Sequence, residues 1–244
     1  MYCRSSNIEG EVIVPLNRMI VRFFCGRIGQ SSYFVNGAVL ATRKRAKRTY
    51  DAEGTRQRIL AVAADHFQSH GYHATSMHDI MDAAHVPGGS VYYHFPTKKS
   101  LGLAVIREAV HQSIEETWIT PIRQAPCAKD GVSAVFDAVA TQIERDGRGV
   151  TGCPLNNLAI ELSLVDPEFQ AALRGVFDAW TKALAECIQR DVDTNKLSGV
   201  DSAEAATAIV AGFSGAMALA KARQVSEPIR VCARAIARLL APAA

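Results

Sequence analysis

Between residues 51 and 69, Ile59, Ala63 and Phe67 lie four apart, with Leu60 and Ala64 beside them. That spacing predicts an amphipathic helix, and Gly71 is placed to close it. Thr75 or Ser76 then caps a second, shorter helix, "SMHDIMDAA", with Ile80 and Ala84 on one face. A tight turn at His85-Val86 leads into "VPGGSVYYHFPTKK". Val-Tyr-Tyr-His-Phe has the propensity of a strand, yet helical patterns flank it on both sides. Thr97 caps a further helix over 98–118, with Pro121 and Pro126 ending it.

The pattern stays helical from there. Residues 132–144 are amphipathic, "RDGRGVTG" is a loop, and 154–164 is helical again. "DPEF" supplies an Asp cap with Pro at the first helical position. Behind it Phe169, Leu173, Val176, Phe177, Trp180, Leu184 and Ile188 form one apolar stripe. Residues 202–221 are apolar nearly all round, which predicts burial on more than one side. A last helix starts at Pro228, with Arg230, Arg234 and Arg238 on one face. No repeat and no strand stands out, so the fold class is all-α.

Charge divides the chain. Net charge is +3 overall. Counted by block it is +2 over 1–42, +4 over 43–100 and −3 over 101–244. A basic amino-terminal part beside a mildly acidic remainder points to a polyanion partner. "TRKRAKR" places Arg43, Lys44, Arg45, Lys47 and Arg48 directly before the first helix. Residues 1–42 show no sustained period. They read as a disordered or non-native extension, with a transit peptide as the alternative. Arg22 and Arg27 interrupt the apolar region that a secretory signal needs. The six cysteines show no CxxC spacing, as expected for reduced thiols in a cytoplasmic protein. The longest apolar runs, such as "AIVAGFSGAMALA", are too short for a membrane span.

"MHDIMDAAHVPGGSVYYHF" has the length and pattern of a helix-turn-helix. Its last helix enters the DNA major groove amino-terminal end first. Gly88, Gly89 and Ser90 let the backbone approach bases and phosphates. Tyr92, Tyr93 and His94 are then within reach of base edges or sugar-phosphate oxygens. Val91 and Phe95 point the other way and lock the helix to the domain core. Lys98 and Lys99 are placed to clamp the flanking backbone. Thr75 and Ser76 are phosphate contacts, caps, or both. Arg56 and the basic arm are assigned to phosphates or the minor groove, a salt-sensitive term with little sequence information.

Residues 54–101, "GTRQRILAVAADHFQSHGYHATSMHDIMDAAHVPGGSVYYHFPTKKSL", resemble the DNA-binding domain of the TetR family of transcriptional repressors. "HGYHATSMHDI", "AAHVP" and "GSVYYHFPTKKSL" carry the resemblance in order. It continues more weakly through "GCPLNNLAIELSLVDPEF" and "GFSGAMALAKARQVSEPI", where it is similar to a subgroup responsive to electrophiles. The resemblance implies a homodimer on a palindromic double-stranded operator. It implies a DNA-binding domain over 43–100 and a helical ligand-binding and dimerisation domain over 101–244. The last two helices would pair with their mates as a four-helix bundle, for which Gly212, Ser214, Gly215 and Ala216 are suitably small. Two positions depart from the family: His85 stands where Gly is usual in the turn, and Gly88 where a basic residue is common.

Cys153 follows a Gly-rich loop and precedes Pro154, at an expected helix start. A thiol there has a lowered pKa and reads as an oxidant or electrophile sensor; the alternative is a buried small residue. Trp118, Phe136 and Phe177, with Trp180, Phe213 and Met217, read either as core or as the wall of a pocket for an unidentified small-molecule effector. His66 and His70 lie four apart, with His73 and His78 nearby, but no carboxylate at ligand spacing completes a metal site. No metal and no cofactor is assigned. The sequence therefore reads as a transcriptional regulator released by an effector or by thiol modification. The alternatives are a non-specific architectural DNA binder and, more remotely, a helical metal-dependent enzyme.

Overall fold

The computed structural model describes residues 51–147 and 149–241. The extension over 1–42 and the arm residues Arg43, Lys44, Arg45, Lys47 and Arg48 lie outside the described residues. Among the described residues every regular element is a helix.

Helix α1 spans Ala52–His70, and the Asp51 carboxylate caps it by accepting from the Gly54 N–H at 2.8 Å. Ile59, Ala63 and Phe67 are buried along it, as their spacing requires. Gly71 ends the helix at φ +90°, a conformation open to glycine and strained for other residues. Helix α2 spans Met77–Ala84. Of the two candidate caps, Ser76 does the work: its hydroxyl accepts from the Asp79 N–H while the Asp79 carboxylate accepts from the Ser76 N–H. His85 closes α2 in the left-handed region, at φ 52°.

Helix α3 spans Gly88–His94, although its side chains favour a strand. Val91 and Phe95 are buried in the small core with α1 and α2, and that burial outweighs local preference.

Residues 98–124 form one continuous rod, α4, capped by Thr97 and running past the expected stop at Pro121. Two π-helical stretches interrupt it, Val105–Val110 and Glu115–Ile119. Proline in a helix clashes with the carbonyl four residues back and lacks an N–H. Here the preceding turn is already widened, with the Thr120 N–H reaching back to the Glu115 carbonyl. The wider turn accommodates Pro121, and the rod ends before Pro126 instead.

The remaining helices are α5, Ala128–Asp146; α6, Pro154–Leu162; α7, Pro167–Asp193; α8, Ser202–Arg223; and α9, Glu227–Leu239. Helix α5 starts four residues earlier than its periodicity indicates. The buried carboxylate of Asp191, on α7, accepts from the Ala128 N–H at 2.5 Å and anchors that first turn. Helices α7, α8 and α9 pack in sequence, and α9 returns against α5. There Arg230 pairs with Glu144 and Asp137. Its hydrogen bond holds the Glu144 carboxyl below the usual carboxylate range.

Helix α8 corrects an expectation. It is long and apolar enough to cross a membrane by length and composition alone. In this chain it buries one face, through Ile209, Phe213, Met217 and their neighbours, and leaves the opposite face open. The buried face is shared between α7 and α9, so packing on more than one neighbour is met within a single copy, while burial all round is not.

Candidate nucleic-acid interface and effector core

Helix α3 is anchored from below and bare above. Val91 is 0% and Phe95 3% exposed, while Tyr92 is 51% and Tyr93 74% exposed. The same stretch of helix thus carries two packing residues on one face and two presented phenols on the other. Gly89 is open: a Cβ there would meet nothing within 4 Å. Gly88 lies over Met81, on α2. Ser90 is partly buried, and Ser76 is exposed at the start of α2.

Several sequence-assigned contacts are engaged elsewhere. Arg56 is not a free phosphate ligand. Its guanidinium makes a bidentate pair with Glu108, on α4, at 2.5 and 2.8 Å, and lies over the Phe95 ring. The Glu108 hydrogen bond raises the Arg56 pKa further. Thr75 is buried and donates its hydroxyl to the Gly71 carbonyl at 2.8 Å, so it faces inward. His94 turns its Nε2 into the protein, without a hydrogen-bond partner among the described residues. Lys98 lies over the Tyr72 ring and donates to the His73 carbonyl; desolvation lowers its pKa. Lys99 pairs with Asp166 and Glu168, both at 2.6 Å, at the start of α7. Arg56 and Lys99 brace the helix-turn-helix unit against α4 and α7 through carboxylates, while Lys98 ties the start of α4 to the turn at 72–73 within that unit.

The aromatic candidates mostly converge. Trp118, Phe136, Trp180 and Phe213 meet ring against ring, with centroids 4.8–5.8 Å apart. All four are buried, and Met217 is buried in the same core. Phe177 is only partly buried at its margin. The Trp180 Nε1–H lies inside this apolar cluster with no hydrogen-bond partner among the described residues. Away from it, a cleft of about 220 Å³ opens between α1 and α4, lined by Gln57, Leu60, Arg107 and His111.

Cys153 corrects a second expectation. It does stand at the start of α6, and the amides of Leu155 and Asn156 act to lower its pKa. Yet it is 3% exposed, and burial outweighs those amides and pushes the thiol up. A dry thiol loses more from desolvation of its anion than a helix start returns. Lys221 lies beside the preceding residue: a Cβ on Gly152 would sit 3.2 Å from its Cδ. The His66 and His70 rings are neighbours, but no group of three or more ligating side chains that would hold a metal occurs among the described residues. The small residues of α8 divide as well. Gly212 faces Cys232, on α9, and Ala216 is buried in the core, while Gly215 is open.

A set of polar residues not singled out in the sequence joins α6 to the end of α1. Glu161, Asn157 and Gln68 form hydrogen bonds there across more than eighty residues of chain. The visible signal was Asn156, Asn157 and Glu161 in the otherwise apolar "PLNNLAIEL", the last two four apart. Nothing local named their partners.

Comparison with known proteins agrees with this geometry. Residues 59–105 match the family model described as bacterial regulatory proteins, tetR family. Residues 128–235 match that of the transcriptional regulator LmrA/YxaF-like, C-terminal domain. The transcriptional regulator AcuR of Cereibacter sphaeroides is 28% identical over 80% of this chain and 90% of its own. The HTH-type transcriptional repressor DhaR of a Mycobacterium species is 26% identical over 71% of this chain and 86% of its own. A crystal structure of a TetR transcriptional regulator from Chloroflexus aurantiacus superposes with a TM-score of 0.68 at 28% identity, over 77% of this chain and 94% of that one. With a helix-turn-helix whose third helix is bare, a helical core behind it, and both halves matched in order, this chain belongs to the TetR family of transcriptional regulators.

Proposed function

We propose that the protein is a homodimeric repressor that holds a palindromic operator through two copies of α3 and releases it when a small molecule enters the core. The observation that carries this reading is the opposed burial on α3: Val91 and Phe95 fixed beneath, Tyr92 and Tyr93 presented above. In this reading the chain divides into a DNA-binding unit over 43–100 and an effector and dimerisation unit over 101–244. The relatives named as transcriptional regulators and a repressor support the class of activity.

Tyr93 leads the base and backbone contacts, with Tyr92, Gly89 and Ser76 beside it. Lys98, Lys99 and Arg56 act as braces. The effector site is the cluster of Trp118, Phe136, Trp180 and Phe213. An unpaired buried donor costs about 1–3 kcal/mol, so an effector that accepts from Trp180 Nε1 relieves that cost on entry. Release through the core then follows if the effector binds the DNA-free conformation better. Direct modification of Cys153 is disfavoured by its burial.

The test is binding of the full chain to its own upstream intergenic DNA and to a scrambled fragment across a salt series. A preference on the order of a thousandfold is expected, and Tyr93→Ala should lose most of it without loss of folded protein. Equal, steeply salt-dependent binding to both fragments would instead mark a non-specific binder.

A further inference from the structure

The DNA-binding unit is tied to the core by bonds of two kinds. The pairs Arg56–Glu108 and Lys99–Asp166 join partly exposed side chains to one another. The bonds from α6 differ, because they grip backbone. Glu161 accepts from the Tyr72 N–H at 2.8 Å and from the His73 N–H at 2.6 Å, one carboxylate oxygen to each. A carboxylate holding two amides is short, strong and directional. Gly71 makes room for it: a Cβ there would lie 3.3 Å from the Glu161 carboxylate, at a φ that other residues avoid.

One turn earlier on the same face, Asn157 donates to the Thr151 carbonyl at 2.9 Å and more weakly to Gln68, on α1, at 3.4 Å. Gln68 is buried and donates to the Gly152 carbonyl at 2.6 Å. The same loop is held from its other side. Gln224, at the end of α8, accepts from the Val150 N–H at 2.9 Å and donates to the Val150 carbonyl at 3.2 Å. The opposite face of α6, through Leu155, Leu158 and Leu162, is buried in the core. Helix α6 therefore has its apolar side in the hydrophobic core, against α7, α1 and the 105–110 stretch of α4, and its polar side on the turn at 71–73. That turn leads through Thr75, bonded to the Gly71 carbonyl, to Ser76, the cap of α2.

We propose that Glu161 and Asn157 are positioning residues that convert a shift of α6 into a shift of the helix-turn-helix unit. Two hydrogen bonds from main-chain N–H groups bypass the Tyr72 and His73 side chains, so no rotamer change there absorbs the shift. When α6 moves, the turn moves with it, and α2 and α3 follow because Thr75 and Ser76 fix them to that turn. This inference rests on the DNA-binding reading above and adds its route of regulation.

The test uses reciprocity: if the core acts on the DNA-binding unit, DNA must act equally on the core. Both tryptophans of the chain, Trp118 and Trp180, lie in the core cluster and none lies near α3. The upstream fragment is titrated into the full chain. Binding is followed by anisotropy of labelled DNA and the core by tryptophan emission. Wild-type emission should change in step with binding. Glu161→Gln and Asn157→Ala should bind about tenfold more weakly and, at saturating DNA, lose most of the emission change. Glu161→Asp, which keeps the charge but reaches one amide, should fall between. A purely structural residue would lower the melting temperature and leave the emission change at saturation intact. That result, or a wild type whose emission ignores bound DNA, overturns the proposal. No binding of DNA by the wild type overturns the DNA-binding reading as well.

Discussion

At the scale of the residue, Cys153 shows how two local rules compete. Its place before Pro154 predicts a helix start, and the structure agrees. A lowered pKa does not follow, because the thiol is buried and burial raises it. The chemistry predicts that Cys153 alkylates more slowly than Cys127 or Cys232, both of which are partly exposed. Peptide mass mapping after a timed iodoacetamide pulse on native protein checks this; rapid labelling of Cys153 would restore the sensor role. The sign of the linkage is also fixed. A thiol whose folded pKa is raised favours the folded state below its ordinary value and withdraws that support as pH rises past it. Alkaline loss of stability should therefore be smaller in Cys153→Ala than in the wild type. The charged residues teach a related lesson. Arg56, Lys98 and Lys99 were legible as basic residues near DNA, but not as braces. Glu108 for Arg56, the Tyr72 ring and His73 carbonyl for Lys98, and Glu168 for Lys99 lie many turns away in sequence, and no local pattern selects a partner at that range.

At the scale of the element, what is set within a few residues could be read in advance. Asp51, Thr97, Asp166 and Asp201 each cap the helix that follows with a side-chain oxygen. Gly71 and His85 close the turns. What depends on packing could not be read. The strand-like run in α3 is helical because Val91 and Phe95 are buried, and α4 passes Pro121 because a π-helical turn widens ahead of it. The cap of α2 carries a prediction. Ser76→Ala removes one partner of the capping box, a change worth about 1 kcal/mol. Because α2 is a single short helix under α3, the loss should appear twice: as a lower denaturant midpoint and as weaker operator binding. Unchanged binding with a lowered midpoint would mean that Ser76 supports the fold and leaves the interface undisturbed.

At the scale of the whole molecule, one chain does not account for its own surface. On α8 the open positions Ala208, Ala211, Gly215, Leu219 and Ala222 recur every three or four residues and form one stripe. Val231, Ala235 and Leu239 continue it on α9. Small side chains in a stripe let two helices approach closely, and in the proposed homodimer a second copy related by twofold symmetry would meet the same stripe with its own. Gly215 separates this from a requirement of the single chain, since a Cβ there meets nothing within 4 Å. Glutamate at that position suits a helix better than glycine does, so Gly215→Glu should leave the isolated fold as stable as before. Against a second copy it buries a carboxylate opposite its own image, where like charges repel in a dry contact. Sedimentation should therefore report a monomer for Gly215→Glu and for Leu219→Glu, with helical content unchanged. Affinity for a palindromic fragment should fall to that of a half-site, because the two α3 helices are no longer held one DNA turn apart. A dimer that survives both substitutions would place the twofold contact on another face, and with it the spacing of the two recognition helices.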